Sequence, residues 1–325
     1  MTTRRSFPAL ACLLALCLAP SAGAAGDRPA ITVDAAAVDT LFDDSMSRYR
    51  LPGLAVGVVV DGEVVYQRTA GELRAGEGEA ITPRSLFKVA SNTKAMTTAL
   101  LARLVDRGLL AWDDPVIRHL PDFRMHDPWV TREIQVRDLL IHNSGLGPGA
   151  GDLMLWPEPN HFTREDVVAG LAHLKPLHSF RSRYAYDNTL YIVAGEVAAA
   201  AGGASYEELM EREVFAPLGM SRCEAGGFDR DAVGDVAQPH RYVSGRNVVY
   251  REDATIVDTV PMAAAGGVRC SLEDMLVWTR MWLQPAQHGL VDGHPWLSDA
   301  RRRELWTLHM PMPLGSRMRE WDGSR

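Results

Sequence analysis

The apolar and polar positions near the start of the folded region predict a helix followed by a β-hairpin. In residues 34–49, apolar side chains recur at the spacing of an amphipathic helix, as Val38, Leu41, Phe42 and Met46. Two β-rich runs, 54–60 and 63–68, then flank Asp61-Gly62, a dipeptide favoured in two-residue hairpin turns. We therefore expect the fold to begin with one helix and one antiparallel pair of strands.

Longer apolar-rich runs predict a mostly helical middle and then a return to mixed structure. The predicted helices cover 91–107, 137–141, 163–175, 189–201 and 206–215. A glycine-rich, extended stretch at 226–268 precedes a helix that Ser271 opens. A sheet interrupted by a helical insertion gives an α/β (α+β) fold of two lobes, one an antiparallel sheet lobe and one mostly helical. A substrate pocket is expected between such lobes.

The first residues have the composition of an export signal. Arg4 and Arg5 precede an apolar run at 9–19 and then small residues with an Ala-x-Ala cleavage point, which predicts a signal peptide at 1–24. This run is shorter than the roughly 20 residues that span a bilayer, and no later segment is predicted to cross a membrane. We expect a periplasmic or secreted protein, and the arginine pair also resembles a twin-arginine signal.

The rest of the chain, 30–325, is predicted to be one domain. Its sheet lobe is expected at about 30–90 and about 255–325, and its helical lobe at about 91–254. The formal net charge of −7 argues against nucleic acid as a partner. Outside the predicted signal the chain keeps only Cys223 and Cys270, which suit a disulfide and two buried thiols equally well. The histidines lack metal-ligand spacing, so we expect no metal and no other cofactor.

A Ser-x-x-Lys pattern, which can supply a nucleophile and its base, occurs twice in the chain. A serine hydroxyl needs a neighbouring base to take its proton, and residues three apart share one helix face. Ser85 and Lys88 lie in a segment that resembles a strand or loop entering the core. Ser91 stands where a long apolar helix begins, and the helix dipole there favours developing negative charge. We therefore expect Ser91 and Lys94 to be the working pair.

Tyr186 and Asn188 form a second candidate pair. Their side chains point to the same side if the segment is extended, because successive side chains alternate. A free phenol titrates near pH 10, so Tyr186 needs a cation such as Lys94 beside it to act as a base. The alternative is a core aromatic residue whose hydroxyl has found a partner. His142 is a further candidate, as a catalytic histidine. Nucleophile, amine, phenol and amide together would make an acyl-transfer site.

In order along the chain, these motifs resemble one known superfamily. They are 87–94 with Ser91 and Lys94, 139–146 with His142, Tyr186-Asp187-Asn188, and Ala265-Gly266-Gly267-Val268. Over about 35–310 the chain resembles the serine β-lactamases and penicillin-binding proteins, and above all their class C β-lactamase-like branch of esterases, D-peptidases and other serine hydrolases.

The resemblance implies a role for each candidate residue. Ser91 would be acylated, and Lys94 would orient and deprotonate it. Tyr186 would pass a proton to the leaving group and activate the water that follows. Asn188 would hold the substrate amide or Lys94. His142 would end a helix and shape the floor of the pocket, a structural role.

One motif of that superfamily is not found in the sequence. Its members carry Lys-Thr-Gly or His-x-Gly on a strand that completes the oxyanion hole, and the loss of one such donor costs about 10²–10³ in turnover. We expect a truncated product with an incomplete sheet. The first hypothesis is an exported serine hydrolase that acts through a Ser91 acyl-enzyme on an ester, amide, D-amino-acid peptide or β-lactam. The alternative is an impaired member that binds cell-wall peptide or a protein partner.

Overall fold

A computed structural model describes residues 31–156 and 161–312. Its contacts divide the chain into two units, 1–32 and 33–325, and everything below concerns the second. The predicted signal peptide at 1–24 lies outside the described residues. The described elements mix α-helices with small antiparallel sheets, which confirms the predicted α/β (α+β) fold class. None of the described helices is both long and apolar enough to cross a membrane.

The N-terminal helix and hairpin form as the sequence predicts. Helix α1 spans Ala35–Tyr49, and the Asp34 carboxylate caps it by accepting from the Ala36 amide at 3.0 Å. Strands β1 (Gly53–Val60) and β2 (Glu63–Gly71) pair antiparallel. The turn needs two left-handed residues, and Asp61 and Gly62 have φ of 50° and 82°.

Two long helices pack together in the middle of the chain. A short 3₁₀ turn, Ala90–Asn92, leads directly into α2 (Thr93–Asp106), and α6 spans Thr189–Gly202. Both helices are buried along much of their length, and they contribute Leu100, Leu104, Val193 and Val197 to one hydrophobic core. The smaller helices between and after them are α3 (Val116–His119), α4 (Pro128–Glu133), α5 (Arg164–Gly170), α7 (Tyr206–Met210), α8 (Ala216–Leu218) and α9 (Arg230–Val233). A π-helical turn, Glu211–Phe215, joins α7 to α8.

The remaining strands are short. They are β3 (Phe87–Lys88), β4 (Cys223–Glu224), β5 (Phe228–Asp229), β6 (His240–Val243), β7 (Arg246–Val249), β8 (Ile256–Val257), β9 (Arg269–Cys270), β10 (Leu290–Val291) and β11 (His294–Pro295). Strand β9 lies between β3 and β4, and the other pairs are β5 with β8, β6 with β7, and β10 with β11. Four of these strands, β5 to β8, lie in the stretch at 226–268 that was expected to be extended. The individual two-residue strands have too little periodicity to be read from sequence.

The last described elements place α10 against the hairpin. Helix α10 (Leu272–Leu283) packs on β1, where Gly57 leaves room for Leu276. Its N-cap, Ser271, accepts from the Asp274 amide at 3.1 Å, but Asp274 accepts from the Arg222 amide instead of returning a bond to Ser271. Of the two reciprocal bonds of a capping box, Ser271 and Asp274 therefore make one. Helices α11 (Pro285–His288) and α12 (Asp299–Leu305) follow.

Cys223 and Cys270 form a disulfide, which decides between the two alternatives that the sequence left open. The two residues face each other on β4 and β9, and both are buried. The other residue of β9, Arg269, makes a two-point ion pair with Asp253, with nitrogen–oxygen distances of 2.7 and 2.9 Å. Strand β9 is thus fixed covalently at one residue and by a buried ion pair at the next.

Candidate active site

Ser91 lies in the 3₁₀ turn immediately before α2, so the predicted helix start is confirmed to within two residues. The residue before it, Ala90, has φ of 48°, a left-handed conformation that is uncommon for alanine. Gly266 faces this turn, and a Cβ built there would lie 3.7 Å from the Ala90 carbonyl carbon. Ser91 itself is exposed, so its hydroxyl can be reached from solvent.

The Lys94 side chain is buried, and three oxygens surround its nitrogen. Nζ lies 3.3 Å from Ser91 Oγ, 2.9 Å from Asn188 Oδ1 and 2.7 Å from the Ala265 carbonyl oxygen. An ammonium group has three N–H donors, so each of the three contacts can be a hydrogen bond. The sequence spacing of Ser91 and Lys94 does bring nucleophile and amine together. The contact with Ala265 was not foreseen, although its segment, 265–268, was one of the motifs that carried the resemblance.

Tyr186 reaches the same serine from a distant part of the chain. Its hydroxyl donates to Ser91 Oγ at 2.8 Å, and its ring centroid is 4.9 Å from Lys94 Nζ. The phenol therefore lies beside a cation, as the sequence argument required. Tyr186 is half-buried, and the partner of its hydroxyl is Ser91.

Hydrogen bonds fix the Tyr186–Asn188 segment on both of its sides. Asp187 lies two residues before α6, and its Oδ1 accepts from the Leu190 amide at 3.2 Å and from the Thr189 hydroxyl at 2.6 Å. The Tyr186 carbonyl accepts from the Gly149 amide at 3.1 Å, which fixes the segment on its other side. Burial raises the pKa of Asp187 to about 6.

His142 supports Tyr186 and makes no bond to Ser91 among the hydrogen bonds of the described residues. It has φ of 58°, and its Nδ1 accepts from the Asp187 amide at 3.1 Å. Its ring packs on that of Tyr186 with centroids 4.5 Å apart. Burial, and secondly the charge of Lys94, lower the pKa of His142 to about 4. His142 is thus a neutral imidazole that accepts at Nδ1 and packs on the Tyr186 ring. These contacts are structural, which is the role that the resemblance implied.

The sequence reasoning missed Asp152. Its two carboxylate oxygens lie 3.1 and 3.4 Å from Asn188 Nδ2. The signal that could have pointed to it is the run Gly147-Pro148-Gly149-Ala150-Gly151 just before it, because closely spaced glycines mark a tight turn.

The other Ser-x-x-Lys match is not a pair in space. Ser85 is fully buried, its Oγ accepts from the Thr82 amide at 2.8 Å, and it also bonds Asp235. Lys88 instead lies 3.5 Å from Asp253. Because 87–88 form β3, the segment cannot bring positions 85 and 88 together as a helical turn does.

Two cavities lie near these elements. One, of about 640 Å³, borders the turn before α2 through Gly266 and is walled by Trp156, Tyr250 and Ile256. The other, of about 730 Å³, lies between α2, α10 and α12. The first cavity is the one that Gly266 lines, and Gly266 lies against Ala90, the residue before Ser91. Across 31–156 and 161–312, no group of three or more histidine, cysteine, aspartate or glutamate side chains could hold a metal ion.

The described site thus combines a serine hydroxyl with a buried amine and a phenol on a mixed α/β fold, which is the set of groups that nucleophilic acyl transfer requires. A family model described as Beta-lactamase matches residues 38–315. The chain belongs to the β-lactamase family, which confirms the resemblance seen in the motifs.

Relatives of known name include a penicillin-binding protein, an esterase and a carboxypeptidase/endopeptidase. The chain is 29% identical over 245 residues to "Penicillin-binding protein 4" of Amycolatopsis lactamdurans, covering 74% of this chain and 62% of that protein. It is 32% identical to "Esterase EstB" of Burkholderia gladioli, covering 61% and 54%. It is 27% identical to the "D-alanyl-D-alanine-carboxypeptidase/endopeptidase AmpH" of Escherichia coli K12, covering 71% and 57%. The chain thus spans less than two thirds of the length of these relatives.

A solved structure supports the fold. The octameric penicillin-binding protein homologue from Pyrococcus abyssi superposes with a TM-score of 0.69 at 23% identity, covering 85% of this chain and 60% of that one. At 23% identity this similarity supports the fold and nothing further.

Proposed function

We propose that this protein is an exported serine hydrolase that acts through an acyl-enzyme on Ser91. The observation that carries the proposal is the double contact on one hydroxyl: Ser91 Oγ lies 3.3 Å from Lys94 Nζ and 2.8 Å from the Tyr186 hydroxyl. Base, nucleophile and a second proton carrier are thus in mutual reach, which is the geometric requirement for general base catalysis of attack.

The hydrogen-bond partners of Lys94 suit a neutral amine as well as an ammonium. A neutral amine has two N–H donors and one lone pair, and Asn188 Oδ1 and the Ala265 carbonyl can only accept. These two acceptors use both donors, so the lone pair is left facing Ser91. In this state Lys94 can take the serine proton.

The proposed reaction then has two halves. Ser91 Oγ attacks the substrate carbonyl carbon and its proton passes to Lys94. Tyr186 gives its hydroxyl proton to the leaving oxygen or nitrogen as that bond breaks, and Lys94 returns a proton to the phenolate. In the second half Tyr186 first passes its hydroxyl proton to the neutral Lys94, and the phenolate takes a proton from the water that attacks the acyl carbon. Lys94 then returns that proton to Ser91 Oγ as the acyl–oxygen bond breaks and the carboxylic acid leaves, so that Ser91, Lys94 and Tyr186 regain their starting protonation. Asn188 holds Lys94 or the substrate amide.

The substrate classes we propose are esters, amides, D-amino-acid peptides and β-lactams. An esterase, a D-alanyl-D-alanine carboxypeptidase and a penicillin-binding protein among the relatives support this range. The cavity of about 640 Å³ beside Gly266 gives room for an acyl group with apolar substituents. The proposal that the protein is exported is based on the signal-peptide pattern at 1–24, which would direct export of the single domain predicted at 30–325.

The direct test is covalent labelling with a fluorophosphonate and with a penicillin, followed by mass spectrometry of the labelled peptide. We expect one adduct, on Ser91, and none in Ser91→Ala. Lys94→Ala should slow labelling by about 10²–10⁴-fold, the usual worth of a general base. Lys175→Ala is the matched control, because Lys175 is exposed and should leave the rate unchanged.

A folded protein that gives no Ser91 adduct would contradict the proposal. If that protein nevertheless binds a cell-wall peptide, and Ser91→Ala binds it equally well, the alternative of an inactive binding protein would be supported.

A further inference from the structure

The Asn188 side chain lies between two groups that fix which way its amide faces. Its Nδ2 lies 3.1 and 3.4 Å from the two carboxylate oxygens of Asp152, and its Oδ1 lies 2.9 Å from Lys94 Nζ. An ionised carboxylate accepts hydrogen bonds and cannot donate them. The nitrogen of Asn188 must therefore face Asp152, and the oxygen must face Lys94.

This orientation matters for the direction of the Lys94 lone pair. With Asn188 Oδ1 and the Ala265 carbonyl as acceptors, both N–H bonds of a neutral amine point away from the serine. If the amide turned over, an N–H₂ group would face Lys94 in place of the oxygen. The lone pair would then be drawn to that donor and away from Ser91.

We propose that Asp152 is a positioning residue that holds the Asn188 amide in the orientation that directs the Lys94 lone pair at Ser91. The proposal rests on the proposed function, because it assigns Asp152 a part in activating the same serine. Asp152 touches neither Ser91 nor any reacting atom in this account and acts only through Asn188.

The loop that carries Asp152 is built to hold it there. Gly149 and Gly151 have φ of 70° and 84°, and the 3₁₀ turn Asp152–Met154 starts directly after them. A Cβ on Gly151 would lie 2.7 Å from Thr189 Cγ2, so the loop lies close against the first residue of α6. The Gly149 amide also donates to the Tyr186 carbonyl at 3.1 Å. Asp152 is thus fixed relative to both ends of the Tyr186–Asn188 segment.

Other charged and titratable groups face Lys94 and would respond to the same change. Among the described residues these are His142, Tyr186 and Tyr191 around the ammonium, and Asp187 next to Asp152. Among the hydrogen bonds of the described residues, none of these four groups contacts Asn188 Nδ2, so Asp152 is the acceptor that fixes the amide, and Asp152→Glu is needed beside Asp152→Asn to separate the orientation from the charge.

The first test compares Asp152→Asn with the wild-type protein in the rate of Ser91 labelling by a fluorophosphonate over a pH series. Asparagine has the shape of aspartate but can donate, so it lets the Asn188 amide turn over. We expect labelling of Asp152→Asn to be about tenfold to a hundredfold slower, which corresponds to the loss of one hydrogen bond to a charged group. We also expect the pH dependence of the labelling rate to shift. Asp152→Glu keeps an acceptor-only carboxylate and should recover much of the rate.

Asp122→Asn is the matched control, since Asp122 is exposed and the substitution removes the same charge. It should leave both rate and pH profile unchanged. If Asp152→Asn and wild type share one pH profile and one rate, the inference is wrong.

The second test does not depend on activity. The chain has three lysines, so lysine labelled with ¹³C at Cε gives three signals, which Lys88→Arg and Lys175→Arg assign. We expect Asp152→Asn to change the chemical shift of the Lys94 signal, because an N–H₂ group then faces the amine in place of an oxygen, and Asp152→Glu, which keeps an acceptor-only carboxylate, to leave that signal close to its wild-type position. A Lys94 signal that is unchanged in Asp152→Asn overturns the inference. If the wild-type protein is not labelled at Ser91, the proposed function fails, while the Lys94 signal still decides the role of Asp152.

Discussion

Replacing His142 with asparagine should change how the stability of the protein depends on pH. His142 has a pKa lowered to about 4 by burial and by the charge of Lys94, against about 6.5 in an unfolded chain. The folded protein therefore favours the neutral ring, so the stability is fully present above the unfolded pKa and is lost as the pH falls toward the folded one. Asparagine tolerates the left-handed backbone at φ of 58° and can still accept from the Asp187 amide.

The size of the effect follows from the two pKa values. Between about pH 7.5 and about pH 5, the lowered pKa of His142 corresponds to a loss of about 2 kcal/mol in the free energy of unfolding. The ring is partly exposed, which reduces this loss to between about 1 and 2 kcal/mol. Asp187 acts in the opposite direction, because burial raises its pKa to about 6 and its contribution is lost as the pH rises. The two groups therefore partly cancel in the wild-type protein.

The assay is urea unfolding of the wild-type protein, His142→Asn and Asp187→Asn at several pH values. Relative to its own stability near pH 7.5, we expect His142→Asn to lose about 1–2 kcal/mol less than wild type on acidification to about pH 5. Asp187→Asn should lose more than wild type. His126→Asn is the control for an exposed histidine and should run parallel to wild type. If His142→Asn also runs parallel, the ring is not held neutral by its surroundings.

Three further changes test other parts of the structure. Ser85→Ala should leave Ser91 labelling intact but lower the free energy of unfolding, measured in urea, by about 1–3 kcal/mol, because it leaves buried partners unsatisfied. A Ser85→Ala protein that is not labelled at Ser91 would mean that the wrong serine was chosen. The Cys223–Cys270 disulfide closes a loop with a sequence separation of 47. Its reduction with dithiothreitol should lower the free energy of unfolding by about 2–4 kcal/mol, which is measured as a lower urea midpoint. Tyr186→Phe keeps the ring but removes the hydroxyl, so we expect labelled protein to accumulate as acyl-enzyme while turnover of an ester falls; unchanged turnover would contradict the proton-carrying role.

Local patterns in the sequence predicted the parts of the fold that local physics determines. The hairpin β1–β2 follows from two β-rich runs around a turn whose φ angles favour Asp-Gly. The contact of Ser91 with Lys94 follows from three-residue spacing at a helix start. Both features depend on residues that are near neighbours in the chain, so no knowledge of the rest of the fold was needed.

Features that depend on distant partners could not be predicted in the same way. Strands such as β4 and β9 exist because residues 223–224 and 269–270 pair with each other, and two residues carry no measurable period. The disulfide was one of two equal alternatives because sequence does not give the distance between two cysteines. Asp152 was missed for the same reason, since its importance lies only in its contact with Asn188.

The proposed site is assembled mainly by main-chain bonds between these distant segments. The Val89 amide donates to the Val268 carbonyl at 3.0 Å, the Ala185 amide to the His142 carbonyl at 2.8 Å, and the Gly149 amide to the Tyr186 carbonyl at 3.1 Å. Substitutions at Asp152 or at the His142 side chain leave all three bonds in place. Such variants should therefore change where protons reside without moving Ser91 away from Tyr186, and for this reason their pH profiles report on the chemistry rather than on a displaced nucleophile.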